Sequence, residues 1–270
     1  MPGTENGGST CTVLFGFDVD GPSAMIRANP EVERMPSARS MGEFGPSVAV
    51  PRILDLLREH GIPASFFVPG WVAERWPDTV KAIQEGGHEI AHHGYLHEAP
   101  ATLGADEEAA VLDRGSEILE RLTGRRPRGY RSPSWEISEH TLALLAARGF
   151  VYDSSLMGND VPYLLDVGNR TLVEIPVHWS LDDAPYWSFN PALGRRDLMA
   201  SPSYVYDAWR EAFDEIYDRG RAYVLTMHPW VIGRAGRLRM LDRLVRHIKQ
   251  HPGVEFARHI DVAERWLEQA

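Results

Sequence analysis

Five stretches of this chain end apolar runs in residues that can do chemistry. The first is Leu14-Phe15-Gly16-Phe17-Asp18-Val19-Asp20-Gly21-Pro22, where a strand-like run stops in two carboxylates. An unpaired carboxylate beside a core is costly, so acids in such a place need a partner or a task. Positions i and i+2 of an extended segment face the same side, which makes Asp18 and Asp20 a pair able to bind a metal, carry a proton or attack a substrate. The second stretch is His93-Gly94-Tyr95-Leu96-His97, directly after Glu89-Ile90-Ala91-His92. On a helical turn, the i, i+4 spacing puts both imidazoles on one face, as helix-borne metal ligands stand. An aspartate from a neighbouring strand end would complete a set of two histidines and one carboxylate, with positions left for water and substrate. Arg131 follows Gly129-Tyr130 and could pair with a carboxylate and hold it ionised. Asp182 and Asp183 come shortly after the run Val173 to Val177, and His228 closes Ala222 to Met227, where an imidazole is suitably placed as a general acid.

Something must bring these stretches together. Strand-length apolar runs are expected at Thr12 to Phe17, Ala64 to Val68, Glu89 to Ala91, Gly129-Tyr130, Val151-Tyr152, Leu172 to Val177, Ala222 to Met227 and Val254 to Phe256. Amphipathic helices are expected over Val48 to His60, Ala105 to Leu122, Glu139 to Arg148, Tyr204 to Arg219 and Leu238 to Gln250, with a further helix starting at Pro77-Asp78. Gly61, Gly124, Gly149 and Gly220 follow four of them as C-caps. Repeated strand–helix alternation argues for an α/β fold with a mostly parallel sheet, and this many units for a barrel. The carboxyl ends of barrel strands meet at one face, so acids, imidazoles and a guanidinium from five segments converge on one rim. Residues 22 to 46, rich in Pro, Arg, Met and Ser, read as a long irregular excursion, either a functional lid or a disordered loop.

Composition narrows the partners. The 270 residues are 43% hydrophobic and carry a formal net charge of -10, which leaves no basic footprint for nucleic acid or an anionic membrane surface. The single cysteine, Cys11, excludes an internal disulfide, and no stretch approaches the ~18 apolar residues of a membrane span. Residues 1–10 are polar, without a basic and then apolar leader, and are expected to be a flexible N-terminus before a single domain over 11–270. The expectation is a cytoplasmic protein.

In order and spacing, Phe17-Asp18-Val19-Asp20-Gly21, His93-Gly94-Tyr95-Leu96-His97, Arg131-Ser132-Pro133-Ser134 and Leu225-Thr226-Met227-His228 resemble the polysaccharide deacetylase family (the NodB homology domain, carbohydrate esterase family 4). The resemblance implies a distorted (β/α)7 TIM-like barrel and a divalent metal, most often Zn2+. It implies Asp20, His93 and His97 as metal ligands, Asp18 as the general base oriented by Arg131, and His228 as the catalytic acid with Asp182 or Asp183 as its partner. It makes the backbone N–H of Ser134 an oxyanion donor, with Trp135 and Tyr95 as substrate contacts. The inserted Val19 and the segment Leu181 to Trp187 are similar to an intracellular branch of peptidoglycan-deacetylase-like, allantoinase-like and cyclic-imide-hydrolysing proteins, often tetrameric. The substrate would be an N-acetylated sugar or a small cyclic amide or imide.

Two other readings compete. A strand ending Asp-x-Asp-Gly also resembles the opening of a haloacid-dehalogenase-type Mg2+-dependent phosphatase. Pro22 stands where that family has threonine, and its lysine would have to be Lys81 or Lys249, the only two in the chain. A barrel that keeps the metal without catalysis is the other, but binding alone needs neither Asp18 nor His228.

Overall fold

Residues Cys11–Asp18 form β1, the strand from which the sheet is built, and they are buried almost throughout. The computed structural model describes residues 11–196 and 198–270, so the expected flexible stretch 1–10 lies outside the described residues. The remaining strands are β2 (Ser65–Val68), β3 (Glu89–His92), β4 (Gly129–Tyr130), β5 (Tyr152–Asp153), β6 (Tyr163–Val167), β7 (Arg170–Glu174), β8 (Ala222–Met227) and β9 (Val254–Ala257). They run in the order β6-β7-β5-β4-β3-β2-β1-β8, with β9 also on β1. One edge of β1 carries β8; the other is shared, β9 against residues 11–14 and β2 against residues 16–18. Every pairing is parallel except β6 with β7. A parallel bridge from Asp182 to Thr226 of β8 brings the chain beyond β7 back to the far edge, so the sheet curls into the expected distorted barrel.

The period of two along β1 explains the site. Val13, Phe15 and Phe17 point outward into the main core, against Ile53 and Leu57 of the helix Val50–His60 and Leu241 and Leu244 of the helix Ala235–Ile248. Burying each such aromatic stabilises the fold by ~1.5–3 kcal/mol. Leu14, Gly16 and Asp18 alternate inward. Leu14 joins Phe67, Ala91, Tyr152, Val173 and Val224 in the barrel interior, and Asp18 is delivered to the mouth.

Three expectations needed correction. Residues 22 to 46 are helical rather than irregular, with segments Ser23–Ala28, Pro30–Arg34 and Pro36–Phe44 running on through Gly45–Ala49 into Val50–His60. Pro30 and Pro36 sit at helix first turns, where the missing N–H would be unpaired anyway, so they start helices rather than break them, and Pro46 falls where the continuous run widens into a π turn over Gly45–Ala49. β6 was not expected; it folds back on β7 through Gly168-Asn169, with Gly168 at φ 64° as the first residue of a type II′ turn. The helices Gly70–Arg75 and His259–Glu268 were also not foreseen. The four glycines expected as C-caps lie at φ 63°, 70°, 78° and 62° in chain order. No helix among the described residues is long and apolar enough to cross a membrane.

Candidate active site

Arg131 leaves β4 and enters the barrel with no solvent exposure. A buried guanidinium is tolerable only when its charge and donors are satisfied. Nη1 donates to Asp18 Oδ1 at 2.8 Å, Nε to the Ser154 carbonyl at 3.1 Å and Nη2 to Ser154 Oγ at 3.0 Å. Nη2 also meets His259 Nε2 at 3.3 Å, and the guanidinium carbon stands 4.0 Å above the Phe67 ring. Burial, and then the Arg131 charge, push the His259 pKa well below the usual imidazole value, so that ring is neutral and Nε2 accepts. Gly16 makes room for the arrangement: a Cβ there would lie 2.6 Å from Arg131 Nη1.

Beyond Asp18, the buried Asp20 faces two imidazoles. His93 Nε2 is 3.4 Å from Asp20 Oδ1 and His97 Nε2 is 3.7 Å from Asp20 Oδ2. Two ligands bonded at ~2.0–2.1 Å to a tetrahedral ion stand ~3.3 Å apart, so the spacing suits a cation held between them. His93 Nδ1 lies 2.8 Å from the Arg131 carbonyl. That contact puts the ring proton on Nδ1 and leaves the Nε2 lone pair free. Asp20 Oδ1 and His93 Nε2 are buried without a hydrogen-bond partner among the described residues. Buried polar atoms are rarely orphaned, and these two face one another. Burial works against the Asp20 charge, but His97, His93 and His228 outweigh it and its pKa falls far below the usual range. Burial lowers His97 to about 4 although Asp20 pulls the other way, so the ring is neutral, as a metal ligand must be.

The two histidines do not share a helical turn. Residues 93–97 form a loop, with Gly94 at φ 72° and His97 at φ 58°. Glu98 Oε2 accepts from the Tyr95 and Leu96 amides at 3.0 and 2.8 Å, and His92 Nδ1 accepts from the Gly94 amide at 3.1 Å. The i, i+4 spacing brings the imidazoles together by this backfolding instead.

On the opposite side His228 follows β8. Its Nδ1 is 2.7 Å from Asp183 Oδ1, while its amide donates to Asp183 Oδ2 at 3.0 Å. Asp182 Oδ1 is farther from Nδ1, at 3.6 Å, and accepts from the Ala184 amide at 2.7 Å. Of the two aspartates left open by the sequence, Asp183 therefore holds the ring. Burial disfavours the His228 charge, yet Asp182 and Asp183 overcome it and raise its pKa well above the usual value. His228 Nε2 points back into the site, 3.9 Å from Asp20 Oδ2.

These groups floor a cavity of about 550 Å³ lined by Asp18, Asp20, His93, His97, Asp182 and His228, with Ser134, Trp135, Trp179 and Trp230 among its walls. Met25, Arg27 and Ala28 of the helical excursion form part of its side. Ser134 and Trp135 are both left-handed, at φ 61° and 63°, a conformation that costs an L-residue ~1–2 kcal/mol. Trp135 stacks at 4.3 Å on the half-exposed Trp179. Tyr95 is not among the cavity residues; its hydroxyl is bound by Glu74 at 3.0 Å and Arg114 at 2.5 Å, so the structure brings it to the outer helices and not to the site. Neither Lys81 nor Lys249 lines the cavity, and Lys249 Nζ donates to the His60 carbonyl at 2.8 Å, which removes the phosphatase reading's lysine. Sequence reasoning missed His259, Ser154 and Glu98. His259 gave no signal because its helix was not foreseen, whereas Glu98, next to His97, was visible.

Residues 43–152 match the family description "Polysaccharide deacetylase". The chain is 33% identical to a peptidoglycan deacetylase of Helicobacter pylori over 95% of this chain and 96% of that one. A solved protein of Mycobacterium smegmatis, assigned as a polysaccharide deacetylase, superposes with a TM-score of 0.95 at 41% identity, covering 99% of this chain and 93% of the other. The solved PuuE allantoinase has a TM-score of 0.83 at 24% identity over 96% and 90% of the two chains, a likeness of fold.

Proposed function

This chain belongs to the polysaccharide deacetylase family and is a hydrolase acting on carbon–nitrogen bonds; from that premise we propose a metal-dependent deacetylase that cleaves the amide of an N-acetylated sugar. The observation that carries the reading is the pair of orphaned atoms, Asp20 Oδ1 and His93 Nε2, enclosed between Arg131-bound Asp18 and Asp183-bound His228.

Asp20, His93 and His97 would hold a divalent cation, Zn2+ by the preference of two nitrogens and one oxygen. When bound, such an ion supplies Lewis-acid polarisation and a more acidic water. Asp18, fixed by Arg131, accepts a proton from the water as its oxygen attacks the acyl carbon. His228, kept an imidazolium by Asp182 and Asp183 and oriented by Asp183, gives its Nε2 proton to the departing nitrogen as the C–N bond breaks. Each proton transfer of this kind contributes ~10²–10⁴-fold. The left-handed turn at Ser134 offers backbone N–H to the developing oxyanion, and one such donor is worth ~3 kcal/mol elsewhere. Trp135, backed by Trp179, supplies an aromatic wall for a sugar ring.

The cavity size supports a compact substrate. About 550 Å³ beside the helical excursion accommodates a short saccharide or a small ring, so hydrolysis of a cyclic amide or imide is the second reading. Metal-loaded protein assayed on N-acetylglucosamine oligomers and peptidoglycan fragments (acetate release) and on allantoin, hydantoin and succinimide (ring opening) separates the two. Acetate release that is lost in Asp18→Asn supports the first; turnover of ring substrates alone overturns it.

A further inference from the structure

We propose that Asp214, His247 and His251 form a second divalent-cation site, on the outer face of the barrel and separate from the catalytic cavity. Asp214 lies in the helix Pro202–Asp218, His247 in the last turn of the helix Ala235–Ile248, and His251 three residues past that helix's end. Their donor atoms all lie within 4.8 Å of one another. His247 Nε2 is 2.6 Å and His251 Nε2 3.7 Å from the same oxygen, Asp214 Oδ1. The ~3.3 Å ligand spacing of a tetrahedral ion falls between these values.

A plain hydrogen bond accounts for His247 and Asp214 but not for His251. His251 Nδ1 is 3.1 Å from the His247 carbonyl, so its proton goes there and the Nε2 lone pair turns to Asp214, too far for a hydrogen bond. Among the described residues nothing else binds that nitrogen. One support matches that around His93, a backbone carbonyl that fixes the tautomer, and the outer oxygen of Asp214 is held by Arg210 Nη1 at 3.0 Å. Phe213 and Tyr217 pack edge-on against His251, with centroids at 5.0 and 4.7 Å, and fix its ring plane. The C-terminal end of the helix Ala235–Ile248 adds the negative end of its dipole. The three side chains are half-buried, which leaves an entry path and a fourth position for water. An ion here clamps the packed helices Pro202–Asp218 and Ala235–Ile248 to one another, and Zn2+ suits the donor set.

Chelator-stripped protein titrated with Zn2+ alone tests this. Wild type takes up two equivalents, Asp20→Ala/His97→Ala retains one, Asp214→Asn/His251→Ala retains one, and the four-fold variant retains none. Asp214→Asn/His251→Ala keeps wild-type hydrolysis but loses part of the Zn2+-induced rise in melting temperature. Circular dichroism of each apoprotein checks folding, and Co2+ absorption bands report the outer site in Asp20→Ala/His97→Ala. The proposal is overturned if that variant binds no ion, or if its stoichiometry is unchanged by Asp214→Asn/His251→Ala. A wild type with one equivalent, lost only on Asp214→Asn/His251→Ala, would overturn instead the assignment of Asp20, His93 and His97 as ligands.

Discussion

Gly16→Ala perturbs the site without removing any chemical group. The added methyl would stand 2.6 Å from Arg131 Nη1, 3.0 Å from Nη2 and 3.2 Å from Cζ. The tip of a flexible arginine ordinarily swings away at little cost, but this one is fully buried and bound by Asp18, Ser154 and His259. Restoring an ordinary contact of 3.4 Å moves Nη1 by about 0.8 Å, and displacements near 1 Å in a catalytic array cost ~10²-fold in rate. Overpacking of this kind destabilises a core by ~1–3 kcal/mol. We therefore expect Gly16→Ala to fold, with a midpoint lowered by a few degrees in thermal denaturation, while kcat/KM falls ~100-fold, mostly in kcat. Steady-state kinetics beside calorimetry reads both. A Gly16→Ala enzyme with wild-type kcat/KM would refute the claim that Arg131 holds Asp18 in its working position.

Asp183→Asn removes the carboxylate that orients the His228 ring and, with Asp182, raises its pKa; kcat should drop ~10²–10⁴-fold, and the alkaline limb of the pH–rate profile should move to lower pH. An unmoved limb would assign the acid elsewhere. His259→Leu leaves Arg131 Nη2 with one acceptor fewer in a dry site, so stability should fall by ~1–3 kcal/mol together with kcat, and His259→Gln, which restores an acceptor, should recover part of both. His92, buried and lowered to about 3 by desolvation, stays neutral in the fold but takes a proton in the unfolded chain below pH ~6.5. Its folded pKa is the lower one, so its contribution is present at neutral pH and lost on acidification. The stability gap between wild type and His92→Asn should thus narrow by ~2 kcal/mol from pH 7.5 to 5, read by urea denaturation.

Much of this site was legible because each residue closes an apolar run, and parallel strands bring their carboxyl ends to one rim. Asp18, Asp20, Arg131 and His228 were visible for that reason, and the curled sheet with its mouth followed from the alternation. Three kinds of feature were hidden. The loop at 93–97 mimics helical spacing through left-handed Gly94 and His97, which spacing alone cannot distinguish from a turn of helix. The choice between Asp182 and Asp183 depends on the bridge from Asp182 to Thr226, a contact between distant segments. His259 acts across the barrel on Arg131, 128 residues away, and no local pattern announces such a partner. The helices within 22–46 were obscured by prolines whose position at helix starts is apparent only once the helices are drawn.

Crystals of the protein grown with Zn2+ and measured across the zinc absorption edge test the account at its centre. It predicts an anomalous peak ~2.0–2.2 Å from a carboxylate oxygen of Asp20 and from Nε2 of both His93 and His97, absent in crystals of Asp20→Ala. A cavity with no peak between those three side chains, or a peak that persists in Asp20→Ala, would contradict it.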